Sequence, residues 1–163
     1  MRTFGLSLVA FVLICSLWGC MPAPFYQKQE GIPQNAWNFN FKPTFTIDIT
    51  DTASAYQAYF IIRHTQAYPY SNMWLWVHAK IPGDSVERKA RVNIVLAEPT
   101  GKWLGRGMGE IFEQRMAIDL RELTSFNKAG TYKVSLEQNM RLNPLPEVLN
   151  VGFRLEKVPF RQQ

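Results

Sequence analysis

Cys20 is the residue of this chain best suited to covalent chemistry, because Leu17, Trp18 and Gly19 stand directly before it. A leucine three positions ahead of a cysteine, a tolerant position, a small residue and then the cysteine make up a lipobox. At such a sequence the leader is cut and the new terminal cysteine takes lipid, palmitate included, on its thiol and amine. In front lie Arg2 and a nearly uncharged run from Phe4 to Trp18. A basic start, an apolar stretch of about 7–15 residues and a small residue at the cut are the parts of a secretory signal. The run is shorter than the ~20 apolar residues a spanning helix requires. The expectation is a lipoprotein signal peptide over residues 1–19, lipidation at Cys20, and a chain anchored to a membrane rather than crossing it. The alternative is an ordinary signal peptide with an incidental cysteine, since Trp18 stands where a smaller residue is commoner.

The remaining chemistry is sparse. Cys15 falls inside the signal, so no thiol is left for a disulfide, a zinc site or a nucleophile. His64 and His78 are the two histidines. Zinc takes three or four ligands, and neither histidine has a partner at ligand spacing, so no metal and no cofactor are assigned. Glu98, Glu110 and Glu113 flank a glycine-rich loop, and two carboxylates about 5–9 Å apart can hydrolyse a glycosidic bond. Lys102, Arg106 and Arg115 lie among them, and salt bridging is the plainer reading. No catalytic residue is assigned, and the chain reads as a non-enzyme.

Recognition is better supplied. Glu98-Pro-Thr-Gly-Lys-Trp-Leu-Gly-Arg-Gly-Met-Gly-Glu sets Trp103 among four glycines. It lacks the Gly-Lys-Ser/Thr of a phosphate loop, and its glycines supply positive φ or close backbone approach. Trp103 is either a contact residue or a plug over the end of the fold. Tyr68-Pro-Tyr-Ser-Asn-Met-Trp-Leu-Trp is the densest aromatic stretch. Aromatic residues are enriched at binding hot spots, although packing on both faces of a central strand explains the stretch as well. The candidate contact residues are Tyr68, Tyr70, Trp74, Trp76, Trp103 and Arg106.

The elements that must position these residues alternate with a period of two. Phe45, Ile47 and Ile49 alternate with Thr44, Thr46 and Asp48. Tyr56, Ala58, Phe60 and Ile62 continue to His64 at the end of one inward row. Leu75, Val77, Ala79 and Ile81 oppose Trp74, Trp76 and His78. Val92, Ile94 and Leu96 form a fourth row. Tyr132, Val134, Leu136 and Met140 form a fifth, and Leu149, Val151, Phe153 and Leu155 a sixth. Such alternation puts one face on a core and the other in water. Arg115 to Leu120 adds a weaker strand. Short helical turns are expected at Glu110 to Gln114 or Leu120 to Ser125. With turn residues between the rows, the pattern predicts a single antiparallel β-sandwich of about seven or eight strands, immunoglobulin-like or jelly-roll-like. It occupies residues 39–163. Residues 20–38, with Pro22, Pro24, Gly31 and Pro33, read as a flexible tether. The full chain carries 18 Lys and Arg against 13 Asp and Glu. The basic residues are scattered, whereas a nucleic-acid binder gathers them on one face.

The same segments resemble the GldH gliding-motility lipoprotein family of Bacteroidetes. The matching pieces are Thr50-Asp51-Thr52, Tyr68 to Leu75, Gly101-Lys-Trp-Leu-Gly, Gly107-Met-Gly-Glu-Ile, Gly130-Thr-Tyr, Gln138-Asn-Met-Arg-Leu-Asn-Pro-Leu-Pro, and Val151-Gly-Phe-Arg-Leu-Glu-Lys. They follow the lipobox in order across nearly the whole mature chain. The resemblance implies an outer-membrane lipoprotein linked to gliding and the type 9 secretion apparatus, working through contacts with other envelope proteins and without known enzymatic activity. Met21 to Gln29 contains no acid. Surface-exposed lipoproteins of that group carry an acidic cluster there, so a periplasmic orientation is expected. The rival function is a glycan-binding module of an envelope receptor that stacks sugars on the same aromatics.

Overall fold

The structure, a computed structural model, describes residues 24–121, 123 and 125–158. The expected signal peptide and Cys20 lie outside the described residues. Eleven strands follow in chain order: β1 (Tyr26–Gly31), β2 (Ala36–Trp37), β3 (Thr44–Ile49), β4 (Ala55–Thr65), β5 (Asn72–Lys80), β6 (Arg88–Val95), β7 (Arg106–Met108), β8 (Ile111–Ile118), β9 (Gly130–Gln138), β10 (Leu145–Pro146) and β11 (Val148–Val158). They make a five-stranded sheet ordered β1-β11-β4-β8-β7, a four-stranded sheet ordered β3-β9-β5-β6, and the small pair β10-β2.

The pairing has a simple logic. β1 pairs with β11, β3 with β9, β4 with β8 and β5 with β6, all antiparallel. The chain is thus one long antiparallel ribbon, its two ends together, rolled so that alternate segments fall in opposite sheets. That winding is a jelly roll, and it settles the choice that periodicity left open.

The alternating rows meet between the sheets. Phe45, Leu75, Val77, Val134 and Leu136 of the four-stranded sheet are fully buried, as are Phe60, Ile62, Val151, Phe153 and Leu155 of the other. Phe153 lies at the centre, its ring centroid 6.0 Å from those of both Phe45 and Phe60. Each such side chain contributes roughly 1.5–3 kcal/mol by leaving water.

Two expectations are corrected. Residues 26–37 are not tether. β1 runs along β11 from Tyr26↔Leu155 to Gly31↔Asn150. Trp37 is fully buried, its indole N–H donating to the Phe41 carbonyl at 2.8 Å. Pro33 opens a 3-10 turn between β1 and β2 rather than a loose linker. The edge strand Tyr-Gln-Lys-Gln-Glu-Gly has almost no apolar face, so only its long-range partner reveals it. Secondly, Glu110 to Gln114 is not a helical turn, because Ile111–Ile118 is a strand along β4. Gln114 sits where an apolar residue would complete the row Phe112, Met116, Ile118, and that hides the period. Leu120 to Leu123 does close a turn, through the Leu123 N–H on the Leu120 carbonyl at 2.8 Å; residues 122 and 124 lie outside the described set.

Candidate functional site

The six aromatic and basic candidates fall in three places. The first is one end of the sandwich. There, Gly101 at φ +85° makes a tight turn. The Gly101 N–H donates to the Glu98 carbonyl at 2.9 Å, and the Glu98 N–H to the Lys102 carbonyl at 2.8 Å. Behind the turn Trp103 bridges Ala97 in antiparallel fashion. This places the indole 4.5 Å from the imidazole of His64, 5.9 Å from Phe112 and 6.3 Å from Tyr68, centroid to centroid. Tyr68 is buried, donating its hydroxyl to the Asn72 carbonyl at 3.0 Å. Burial, with a lesser push from Tyr70, raises its ionisation well above the ordinary phenol value. Tyr70 meets the Tyr68 ring edge-on at 6.0 Å.

His64 lies beneath this cluster and is fully buried. Its Nδ1–H donates to the Thr65 carbonyl at 2.9 Å, which leaves Nε2 unprotonated and without a hydrogen-bond partner. Burial lowers its basicity, partly offset by the Thr65 bond, and favours the neutral ring. With no carboxylate bonded to it among the described residues, His64 is a packed core histidine.

The second place is the outer face of the four-stranded sheet. Trp74 and Trp76 are half-buried there because Leu75 and Val77 take the core parity. The register that pairs Trp74 with Asn93 and Trp76 with Arg91 brings cations over both indoles. The Arg91 guanidinium is 4.2 Å from the Trp74 ring centroid and the Lys89 ammonium 4.2 Å from that of Trp76. Each such contact contributes about 0.5–1 kcal/mol at an exposed site. The rings are therefore not a bare platform for a sugar.

An ionic group adjoins them. His78 Nδ1 is 3.0 Å from Glu87 and Nε2 is 2.8 Å from Glu137, while Lys42 reaches Glu137 at 2.9 Å. Burial pushes the Glu137 carboxyl upward, but the bonds from Lys42 and His78 and the charge of Lys89 outweigh it and hold the group below its ordinary value. The parity of His78 with Trp74 and Trp76 was readable in the sequence. Its two carboxylate partners were not, for they come from a distant strand and a loop.

Arg106 occupies the third place, exposed on β7 at the edge of the other sheet. Two of the three glutamates near the loop form separate ion pairs, and the third contributes a backbone bond. Glu98 pairs with Lys102 at 4.0 Å, Glu113 with Arg63 at 3.7 Å, and the Glu110 carbonyl accepts the Gln66 N–H at 2.7 Å. Among the described residues, no group of three or more His, Cys, Asp or Glu side chains is placed to hold a metal.

The model of the GldH lipoprotein family matches residues 24–155. The chain belongs to that family. A gliding motility lipoprotein GldH homolog of Christiangramia forsetii is 30% identical over 159 residues, covering 93% of this chain and 95% of its own length. The gliding motility lipoprotein GldH of Flavobacterium johnsoniae is 24% identical over 163 residues, covering 96% and 97%. Among solved structures, the CBM28 carbohydrate-binding module specific for non-crystalline cellulose has a TM-score of 0.48 at 8% identity, covering 80% of this chain and 72% of that one.

In this GldH-family chain several of the resembling motifs stitch loops together. Asp51 accepts the backbone N–H groups of Ala53 and Ser54 at 3.0 and 3.1 Å and binds Lys157 at 2.7 Å. Those bonds, the Lys157 one foremost, hold its carboxyl well below the usual range. Gln138, almost fully buried, donates to the Leu142 carbonyl at 3.2 Å and accepts the Met140 N–H at 2.8 Å. The Tyr132 hydroxyl donates to the Lys128 carbonyl and accepts the Lys128 N–H, both at 3.0 Å.

Proposed function

We propose that the chain is a non-enzymatic accessory or scaffold subunit of the gliding-motility and type 9 secretion kind. Lipid on Cys20 holds it at the periplasmic side of the outer membrane, and it acts by contact with other envelope proteins. The observation that carries this reading is the match along the whole jelly roll to relatives named as gliding motility lipoproteins, at more than nine-tenths of both lengths. The geometry agrees with a contact role. Asp51, Glu113 and Glu137 are each engaged in a local ion pair, while Trp74 and Trp76 with Arg91 and Lys89 form an aromatic and cationic patch on an outward sheet face. Aromatic and arginine side chains are those on which interface energy concentrates.

The test is cross-linking in the native envelope followed by pull-down, with the wild type and a Trp74→Ala, Arg91→Ala variant. The expected result is loss of specific envelope partners by a variant that still unfolds cooperatively, its melting temperature lowered by a few degrees through the lost Trp74–Arg91 contact. Retention of every partner by a folded double variant removes this face from the proposal. Protection of the wild type against melting by soluble polysaccharide, lost in the same variant, supports the glycan reading instead.

A further inference from the structure

The outer face of the five-stranded sheet carries a hollow of about 480 Å³ that the contact reading does not use. Its floor is Ile61, only 3% exposed although it points away from the core. The pairings Gly152↔Ile61 and Ile61↔Arg115 explain the depression, since the glycine contributes no side chain beside Ile61. One wall is the segment leading into β7. Gly105 lets it lie directly on β8, for a Cβ there would meet the Glu113 carbonyl oxygen at 2.8 Å. The other walls hold Arg115 of β8, Arg154 of β11 and Gln27 of β1, with Arg106 at the mouth.

The charge of this hollow is unbalanced. Arg154 donates to Gln27 at 2.6 Å and to Glu156 at 2.5 Å. Arg115 shares Glu156 at the longer distance of 3.6 Å. Glu113 is opposite Arg106 in register, yet its ion pair is with Arg63 at 3.7 Å. Arg106 makes no ion pair among the described residues. Three arginines therefore line one hollow together with Glu113, whose ion pair is with Arg63, while Glu156 beside them is shared by Arg154 and Arg115. A carboxylate ligand is satisfied by one guanidinium fork, whereas a phosphoryl group presents three oxygens that several forks can divide. The volume is in the range of small-ligand sites.

We infer that this arginine-lined hollow binds a phosphoryl group, presented by the headgroups of the membrane that anchors the chain. The location supports that source. Gln27, in the hollow, follows Cys20 by seven residues. Even fully extended, that length of chain spans at most about 25 Å. The inference rests on the anchoring reading for its source of ligand, not for the site itself.

The test uses the chain from Cys20 onward carrying Cys20→Ser, so that acylation does not drive the partition. Co-flotation is measured with phosphatidylcholine vesicles containing either phosphatidic acid or charge-matched oleate. The expected result is a preference of about tenfold or more for phosphatidic acid, the size of one or two charge-assisted hydrogen bonds. Arg106→Gln with Arg115→Gln abolishes it, Lys80→Gln with Lys133→Gln on the opposite face leaves it, and inorganic phosphate competes. Equal binding to both vesicles, or equal loss in both variant pairs, overturns the site. A melting-temperature rise with inorganic phosphate but no vesicle binding overturns the membrane source and assigns the free ion. Acylation itself is read separately, from the mass of the N-terminal peptide of the native protein, so failure of the anchor and failure of the site give different results.

Discussion

At the scale of single residues, Trp103 shows how a loop aromatic acquires its role from what lies beneath it. In sequence it is equally a contact or a plug. In the structure it is half-buried on His64, Phe112 and Tyr68. Trp103→Ala is expected to cost about 2–4 kcal/mol, somewhat under the range for a fully buried tryptophan. Urea melts check this, and a variant that melts normally but loses partners returns Trp103 to the contact surface. Glu137 makes a second, pH-dependent case. Its carboxyl is held below the ordinary value against the pull of burial by Lys42 and His78. A depressed acid stabilises the fold above its unfolded pKa of about 4.3, and that contribution is lost as pH falls through the lower folded value. Denaturation midpoints should therefore fall on acidification below about pH 4. Glu137→Gln should flatten that slope, and an unchanged slope in the variant assigns the acid sensitivity elsewhere.

At the scale of elements, the legible strands were those with one clean apolar face. β3, β4, β5, β9 and β11 were readable because Phe45, Phe60, Leu75, Leu136 and Phe153 stand in rows broken by polar residues. β1 and the first half of β8 were obscured for one physical reason: each is at or next to a sheet edge, where half-burial suffices and the alternation is diluted by Gln27, Gln29 and Gln114. The second half of β8 was readable as the weaker strand from Arg115. Of the candidate site, the sequence singled out the aromatics and Arg106. Lys89, Arg91, Arg115 and Arg154 gain their meaning from register across strands, which no single segment encodes. The correction at β1 yields a direct prediction. A chain starting at residue 39 lacks β1 and the fully buried Trp37, and so exposes one side of β11. It should lose cooperative thermal unfolding, whereas a chain starting at residue 24 should keep it. A cooperative melt of the shorter chain at the same temperature makes β1 and Trp37 dispensable.

For the whole molecule, the jelly-roll ribbon joins the anchored end of the chain to its far end, since β1 hydrogen-bonds to β11. Any pull between membrane and domain is therefore passed through β1 into the sheet that bears the arginine hollow, while the Trp74 and Trp76 face looks away on the other sheet. On the proposed reading one side is turned to the membrane and the other to partners, and both depend on Cys20. Cys20→Ser should leave either unprocessed precursor or protein released from membrane fractions. A mature variant that still sediments with outer membranes shows that something other than lipid holds it. Orientation is then decided with the wild type. The acid-free stretch from Met21 to Gln29 predicts that protease added to whole cells leaves the domain intact and that digestion follows only when the outer membrane is permeabilised. Digestion of intact cells with a periplasmic marker spared puts the domain on the outer surface. The arginine hollow, Gln27 included, would then face the outer leaflet of that membrane, because the stretch from Cys20 is too short to carry it elsewhere.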